Sequence, residues 1–97
     1  MKHEFDISVP ADHPALPGHF PGQPIVPGVV LLELAIEAAQ RALAVHVRTI
    51  ASAKFTSPLA PDVPCRMIVR RRDDGRIEAR CIEGLRTIMT AVLEIEG

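Results

Sequence analysis

The chain has 97 residues, 47% hydrophobic, 24% charged and 3% aromatic, with a net charge of −1. That length makes one domain over residues 1–97, and the apolar content is that of a packed globule, not a disordered chain. Near-neutral charge and scarce aromatic residues argue against nucleic acid or an anionic membrane as partner, and no apolar run nears the ~18 uncharged residues of a membrane span.

Phe5, Ile7 and Val9 alternate with polar neighbours and predict a half-buried strand ending at Pro10. Residues 11 to 27 show no period, and Pro14, Pro17, Pro21, Pro24 and Pro27 exclude a helix interior or a central strand there. Helix formers dominate from Gly28 to about Ala44, with Pro27 where a first turn tolerates a missing N–H. Residues 46–55 predict a strand closed by Pro58 and Pro61. Runs 66–72 and 76–82 flank Asp73-Asp74-Gly75, and Asp-Gly predicts a two-residue hairpin. Glu83-Gly84 then turns the chain into residues 86–96, where Met89, Ala91, Leu93 and Ile95 share one face. The sum predicts an α+β domain: one helix packed on one mostly antiparallel sheet. Cys65 and Cys81 form no CxxC and have no His at zinc spacing, so they read as small buried hydrophobes in a reducing compartment. No basic segment leads into an apolar signal-peptide core, and a cytoplasmic protein is expected.

Two features point to chemistry. Glu33, Glu37, Gln40 and Arg41 fall within about a quarter-turn of the helix, which suits either a solvated stripe with a Glu37–Arg41 pair or a working face. Upstream of Glu33, no Ser, Thr, Asp or Asn stands at the helix cap, and free amides there suit water, an anion or a developing oxyanion. Gly28 would let a carbonyl approach the backbone. His19 is the imidazole set in the Pro/Gly loop; it reads as an exposed loop residue or as a proton shuttle. A His base, a carboxyl acid and a helix-end oxyanion site together suit proton abstraction next to a carbonyl. His3, Asp12 and His13 share no ligand spacing with His19, so no metal is expected. Arg70, Arg71 and Arg72 alternate across a strand and read mostly as a solvated edge, with a weaker claim to dock an acidic carrier protein.

The stretch "PGHFPGQPIVPGVVLLE" resembles the active-site segment of bacterial 3-hydroxyacyl-(acyl-carrier-protein) dehydratases of the hotdog fold. That family shows Gly-His-Phe-Pro, then Pro-x-x-Pro-Gly-Val, then an acidic residue on the helix. Here these are Gly18-His19-Phe20-Pro21, Pro24-Ile25-Val26-Pro27-Gly28-Val29 and Glu33, and "AKFTSPLAPD" resembles the family's Lys-Phe-x-x-Pro stretch. The resemblance implies a hotdog fold and dehydration of a (3R)-3-hydroxyacyl thioester, in fatty-acid synthesis or a specialised polyene or lipid pathway. His19 would remove the C2 proton, Glu33 would act as acid at the C3 hydroxyl, and the Gly28 amide would hold the thioester oxygen. Phe20 and Val29 would join Gly28 at the substrate. It further implies a homodimer whose sites pair the His of one subunit with the acid of the other, leaving further association open. Acyl carrier protein with its phosphopantetheine arm would be the partner, with no metal or redox cofactor.

Two departures stand out. Glu37 occupies a position where the family usually has Gln, and it would help keep Glu33 protonated unless Arg41 neutralises it first. The segment before the first strand is also shorter than in housekeeping members, which puts the sheet size and tunnel rim in question. Thioester hydrolysis, common on this fold, is one alternative activity; an acyl-binding subunit without catalysis is the other. A base able to reach C2 favours dehydration over hydrolysis, and the pairing of His19 with Glu33 argues against a non-catalytic chain.

Overall fold

The computed structural model describes residues 2–14, 16 and 25–96. Strand β1 (Lys2–Ile7) is followed by helix α1 (Gly28–Leu43) and strands β2 (Val47–Phe55), β3 (Cys65–Arg71), β4 (Ile77–Glu83) and β5 (Arg86–Ile95). The strands form one antiparallel sheet in the order β1-β3-β4-β5-β2, with the helix packed across it, mainly over β3. This is the expected α+β hotdog architecture.

Period-2 alternation sets the inner face of the sheet. Met67, Cys81 and Met89 lie in register across β3, β4 and β5, and so do Val69, Ala79 and Ala91; all six are buried. From the helix, Val30, Leu31, Ala35, Ala38 and Ala39 turn inward, the last three at i+4, i+7 and i+8 from Leu31. Three alanines in that stripe let the helix lie close to the sheet. Among the described residues no polar or charged side chain is buried.

The turns follow local chemistry with one difference. Between β4 and β5, Glu83 pairs with Arg86 and Gly84 takes φ +59, so a two-residue turn with glycine first joins them. Between β3 and β4 the Asp-Gly signal predicts two residues, but the observed loop has three. Arg72 N–H donates to Arg76 O at 2.7 Å, enclosing Asp73, Asp74 and Gly75, with Gly75 at φ +86. The carboxylate of Asp74 accepts from the Arg76 N–H, which stabilises the longer turn with glycine left-handed at its end.

The helix ends on Ala44 at φ 53, ψ 43, a left-handed conformation in which a Cβ is strained. Just beyond it, Val47 N–H donates to the Gln40 side chain at 3.1 Å, tying the helix end to the start of β2. Ala44→Gly is therefore expected to raise the urea midpoint, stabilising the domain by about 0.5–1 kcal/mol. An unchanged midpoint would mean that the strain is relieved elsewhere.

Cys65 and Cys81 are buried free thiols with their Sγ atoms 3.3 Å apart. Burial pushes both thiols above their ordinary value of 9.0, with Glu83 adding to the rise at Cys65. Their Sγ atoms share one hydrogen bond in which either thiol can be the donor, and burial is the larger cause of the rise at both. Because the folded values lie above the unfolded one, this contribution to stability is complete below about pH 9 and lost as pH rises further. A Cys65→Ala/Cys81→Ala variant is expected to be less stable at neutral pH, yet to lose less additional stability than wild type between about pH 8 and pH 10, read by urea unfolding at each pH.

Candidate functional site

Three segments converge at the start of the helix. The chain enters α1 through Pro27, whose φ −61 and ψ 143 are extended, and no side chain caps the helix. Val30 N–H donates to Pro27 O at 3.0 Å, while the Gly28 and Val29 amides have no hydrogen-bond partner among the described residues. The uncapped start expected from the sequence is present.

Both flanks of the proline-rich loop are fastened to residues 56–64. Val26 N–H donates to Leu59 O at 2.8 Å, and Asp62 N–H donates to Val9 O at 2.7 Å. A bulge in β5 holds that segment in place. Cys81 pairs with Met89 but Ile82 with Thr87, so Ile88 is the extra residue, and Ile88 and Met89 are both buried although consecutive. The carbonyls of Thr87 and Ile88 then catch Thr56: its hydroxyl donates to Thr87 O at 2.7 Å and its N–H to Ile88 O at 2.9 Å.

The result is an open, mainly apolar cleft of about 520 Å³, walled by residues 25–28 and Leu31 on one side and residues 55–59 on the other. That volume suits a small acyl group. The cleft brings the two motif stretches of the sequence face to face: Pro27-Gly28 from the first and Phe55 to Pro58 from the second. The Phe55 ring stands directly over Gly28.

The expected site residues divide into three groups. Gly28 lines the cleft. Val29, beside it, is 60% exposed and turned to solvent in the single chain. Glu33 is exposed one helical turn further on. His19 and Phe20 lie outside the described residues. Glu37 pairs with Arg41 at 3.2 Å with both side chains exposed, the condition under which it was not expected to act on Glu33.

Arg70 and Arg71 are exposed, as a solvated position requires, but the strand that carries them is not at an edge of the sheet. Strand β1 pairs along β3, which is interior, and Arg70 and Arg72 form ion pairs with Glu78 and Asp74 at 3.1 Å each. No group of three or more metal-ligating side chains occurs among the described residues. No helix there is long and apolar enough to cross a membrane. Sequence reasoning missed the role of Phe55, although its motif was noticed, and the β5 bulge, which leaves no local signature beyond adjacent Ile88 and Met89.

Comparison with known proteins gives this geometry a context. The family model ApeI-like, described as ApeI dehydratase, matches residues 1–90. The 3-hydroxyacyl-(acyl-carrier-protein) dehydratase FabZ of Bartonella henselae is 27% identical over 100 residues, covering 91% of this chain and 64% of that protein. The chain thus spans just under two thirds of that relative's length. Among solved structures, the dehydratase heterocomplex ApeI:P from Xenorhabdus doucetiae superposes with TM-score 0.82 at 21% identity, over 97% of this chain and 86% of the other. A mutant of the fluoroacetyl-CoA-specific thioesterase FlK superposes with TM-score 0.72 at 15% identity, over 96% and 82%. At those identities the two structures speak to the fold alone.

Proposed function

We propose that this chain, which belongs to the ApeI-like dehydratase family, removes water from a (3R)-3-hydroxyacyl thioester to give the trans-2-enoyl thioester. The observation that carries the reading is the cleft at the uncapped start of α1, where both family-like motifs meet. The thioester oxygen would accept the Gly28 N–H, in line with the positive end of the helix dipole. His19 takes the C2 proton, and the electron pair of that C–H bond becomes the C2–C3 double bond as the C3–O bond breaks. Glu33 gives its carboxylic proton to the departing hydroxyl, so water leaves and the thioester stays intact. The proton on the imidazole then returns to the carboxylate, restoring the enzyme. Phe20 and Val29 would contact the acyl chain.

The proposed assembly is a homodimer with shared sites. The two sheet edges differ in a way that supports it. Strand β1 is short and carries Lys2, Glu4 and Asp6, charges that guard an edge. Strand β2 has nine residues, nearly all exposed, and its middle, Thr49 to Ala53, is uncharged with Ile50 among it. Bulges near Arg48 and Ala51 curl β2 without charging that middle. A second copy laid on this edge would satisfy its backbone groups and carry solvent-facing Glu33 to a subunit seam. The acyl group would arrive on the phosphopantetheine arm of an acyl carrier protein, in cytoplasmic fatty-acid or specialised lipid synthesis.

Incubation with a 3-hydroxyacyl thioester tests the reading. Loss of one water by mass spectrometry, with enoyl absorbance and no free thiol, is the expected result. Free thiol would instead mean hydrolysis. Binding without turnover, unaffected by His19→Ala, would mean a non-catalytic acyl-binding subunit.

A further inference from the structure

We propose that Phe55 is a specificity-determining residue, a side wall seated on Gly28 that limits the bulk of the acyl group the cleft admits; this rests on the dehydratase reading of the same cleft. A Cβ placed on Gly28 would meet the ring at 2.8 Å from Cζ, 2.9 Å from Cε1 and 3.2 Å from Cε2. Those atoms are the far end of the ring, so Phe55 points end-on at the helix backbone. Gly28 is not among the residues of positive φ, so its conformation is open to any side chain. Glycine in a helix costs up to ~1 kcal/mol relative to alanine, and here what it gives is space. The ring of Phe55 fills that space.

The two ends of this side chain differ in freedom. Its backbone is fixed: Phe55 pairs with Met89 in the β2–β5 ladder, and Thr56 is bonded to the carbonyls of Thr87 and Ile88. The side chain is 48% exposed, with one flank on the open cleft, so packing holds it only in part. Such a ring is a wall whose position is set by the strand and whose reach is set by its own size. Removing it would widen the cleft beside the helix start, where the portion of the acyl group nearest the thioester would lie. Enlarging it would narrow the same place.

The test is a ladder of 3-hydroxyacyl thioesters of N-acetylcysteamine, from butyryl to dodecanoyl, with one phenyl-substituted member. The measurement is kcat/KM for wild type, Phe55→Ala and Phe55→Trp. Phe55→Ala is expected to raise the ratio of bulky to short substrates by about tenfold or more, and Phe55→Trp to lower it. A residue that only supports the fold would change all members by one common factor, and an unchanged ratio in both variants overturns the proposal. Phe55→Leu stands in if the alanine variant does not fold, with a smaller shift in the same direction. Binding of saturated acyl thioesters, followed by calorimetry, separates this proposal from the dehydratase reading. If wild type dehydrates nothing but the binding preference still shifts with residue 55, the reaction is wrong and the wall stands.

Discussion

Glu33→Gln is expected to lower kcat for dehydration by about 10²–10⁴-fold, the usual contribution of a positioned general acid. The amide keeps the shape and most of the hydrogen-bonding capacity of the carboxyl group but has no proton to give to a departing hydroxyl. Because Glu33 is exposed in the single chain, the fold should hold to within about 0.5 kcal/mol, so lost activity will not be lost structure. KM should move by less than about threefold, since the interaction is made in the transition state and not in the ground state. His19→Ala is expected to fall by a similar factor for the complementary reason, loss of the base at C2. Glu37→Gln provides the contrast: its carboxylate pairs with Arg41 at 3.2 Å on the solvated face, so activity should stay near wild type. Steady-state kinetics on one purified thioester checks all three. Wild-type turnover by Glu33→Gln would remove Glu33 from the mechanism.

The fold was readable from this sequence because local signals agree with the global arrangement. Alternation marks the inner faces of β3, β4 and β5, alanines and leucines mark the helix, and glycines mark the hairpin turns. What was not readable depends on how separate segments meet. Strand order does not follow from periodicity: exposed arginines along β3 do not reveal that β1 pairs along it and makes it an interior strand. The β5 bulge is a ladder property, visible only when Ile82 is found opposite Thr87. The Gln40 side chain finds Val47 N–H because Ala44 turns left-handed, and an alanine gives no warning of that. At the site, Gly28 was read as room for a ligand, and the structure places the Phe55 ring in that room. Both stretches were recognisable as motifs; their contact is a product of the sheet, which carries Phe55 from the end of β2 to the start of α1.

Mixing two inactive variants should restore activity. In the proposed homodimer each site draws His19 from one chain and Glu33 from the other, so a His19→Ala chain paired with a Glu33→Gln chain forms one intact site and one doubly defective one. Random exchange of equal amounts makes half of the dimers mixed, and half of the sites in those are whole, giving about a quarter of wild-type activity in a two-fold assembly. The physical basis lies in α1 and β2 together. Glu33 faces solvent where a single chain offers no dry surroundings for a proton donor, and β2, uncharged from Thr49 to Ala53, has no neighbour on its outer side among the described residues. Covering that edge would bury apolar area and satisfy backbone groups in the same step. Exchange through mild urea followed by refolding, with activity read against the unmixed variants, measures the outcome. If each variant alone is inactive and the mixture stays inactive while light scattering reports dimers, the two residues act within one chain and the shared site is wrong. If scattering reports only monomers, β2 has another partner.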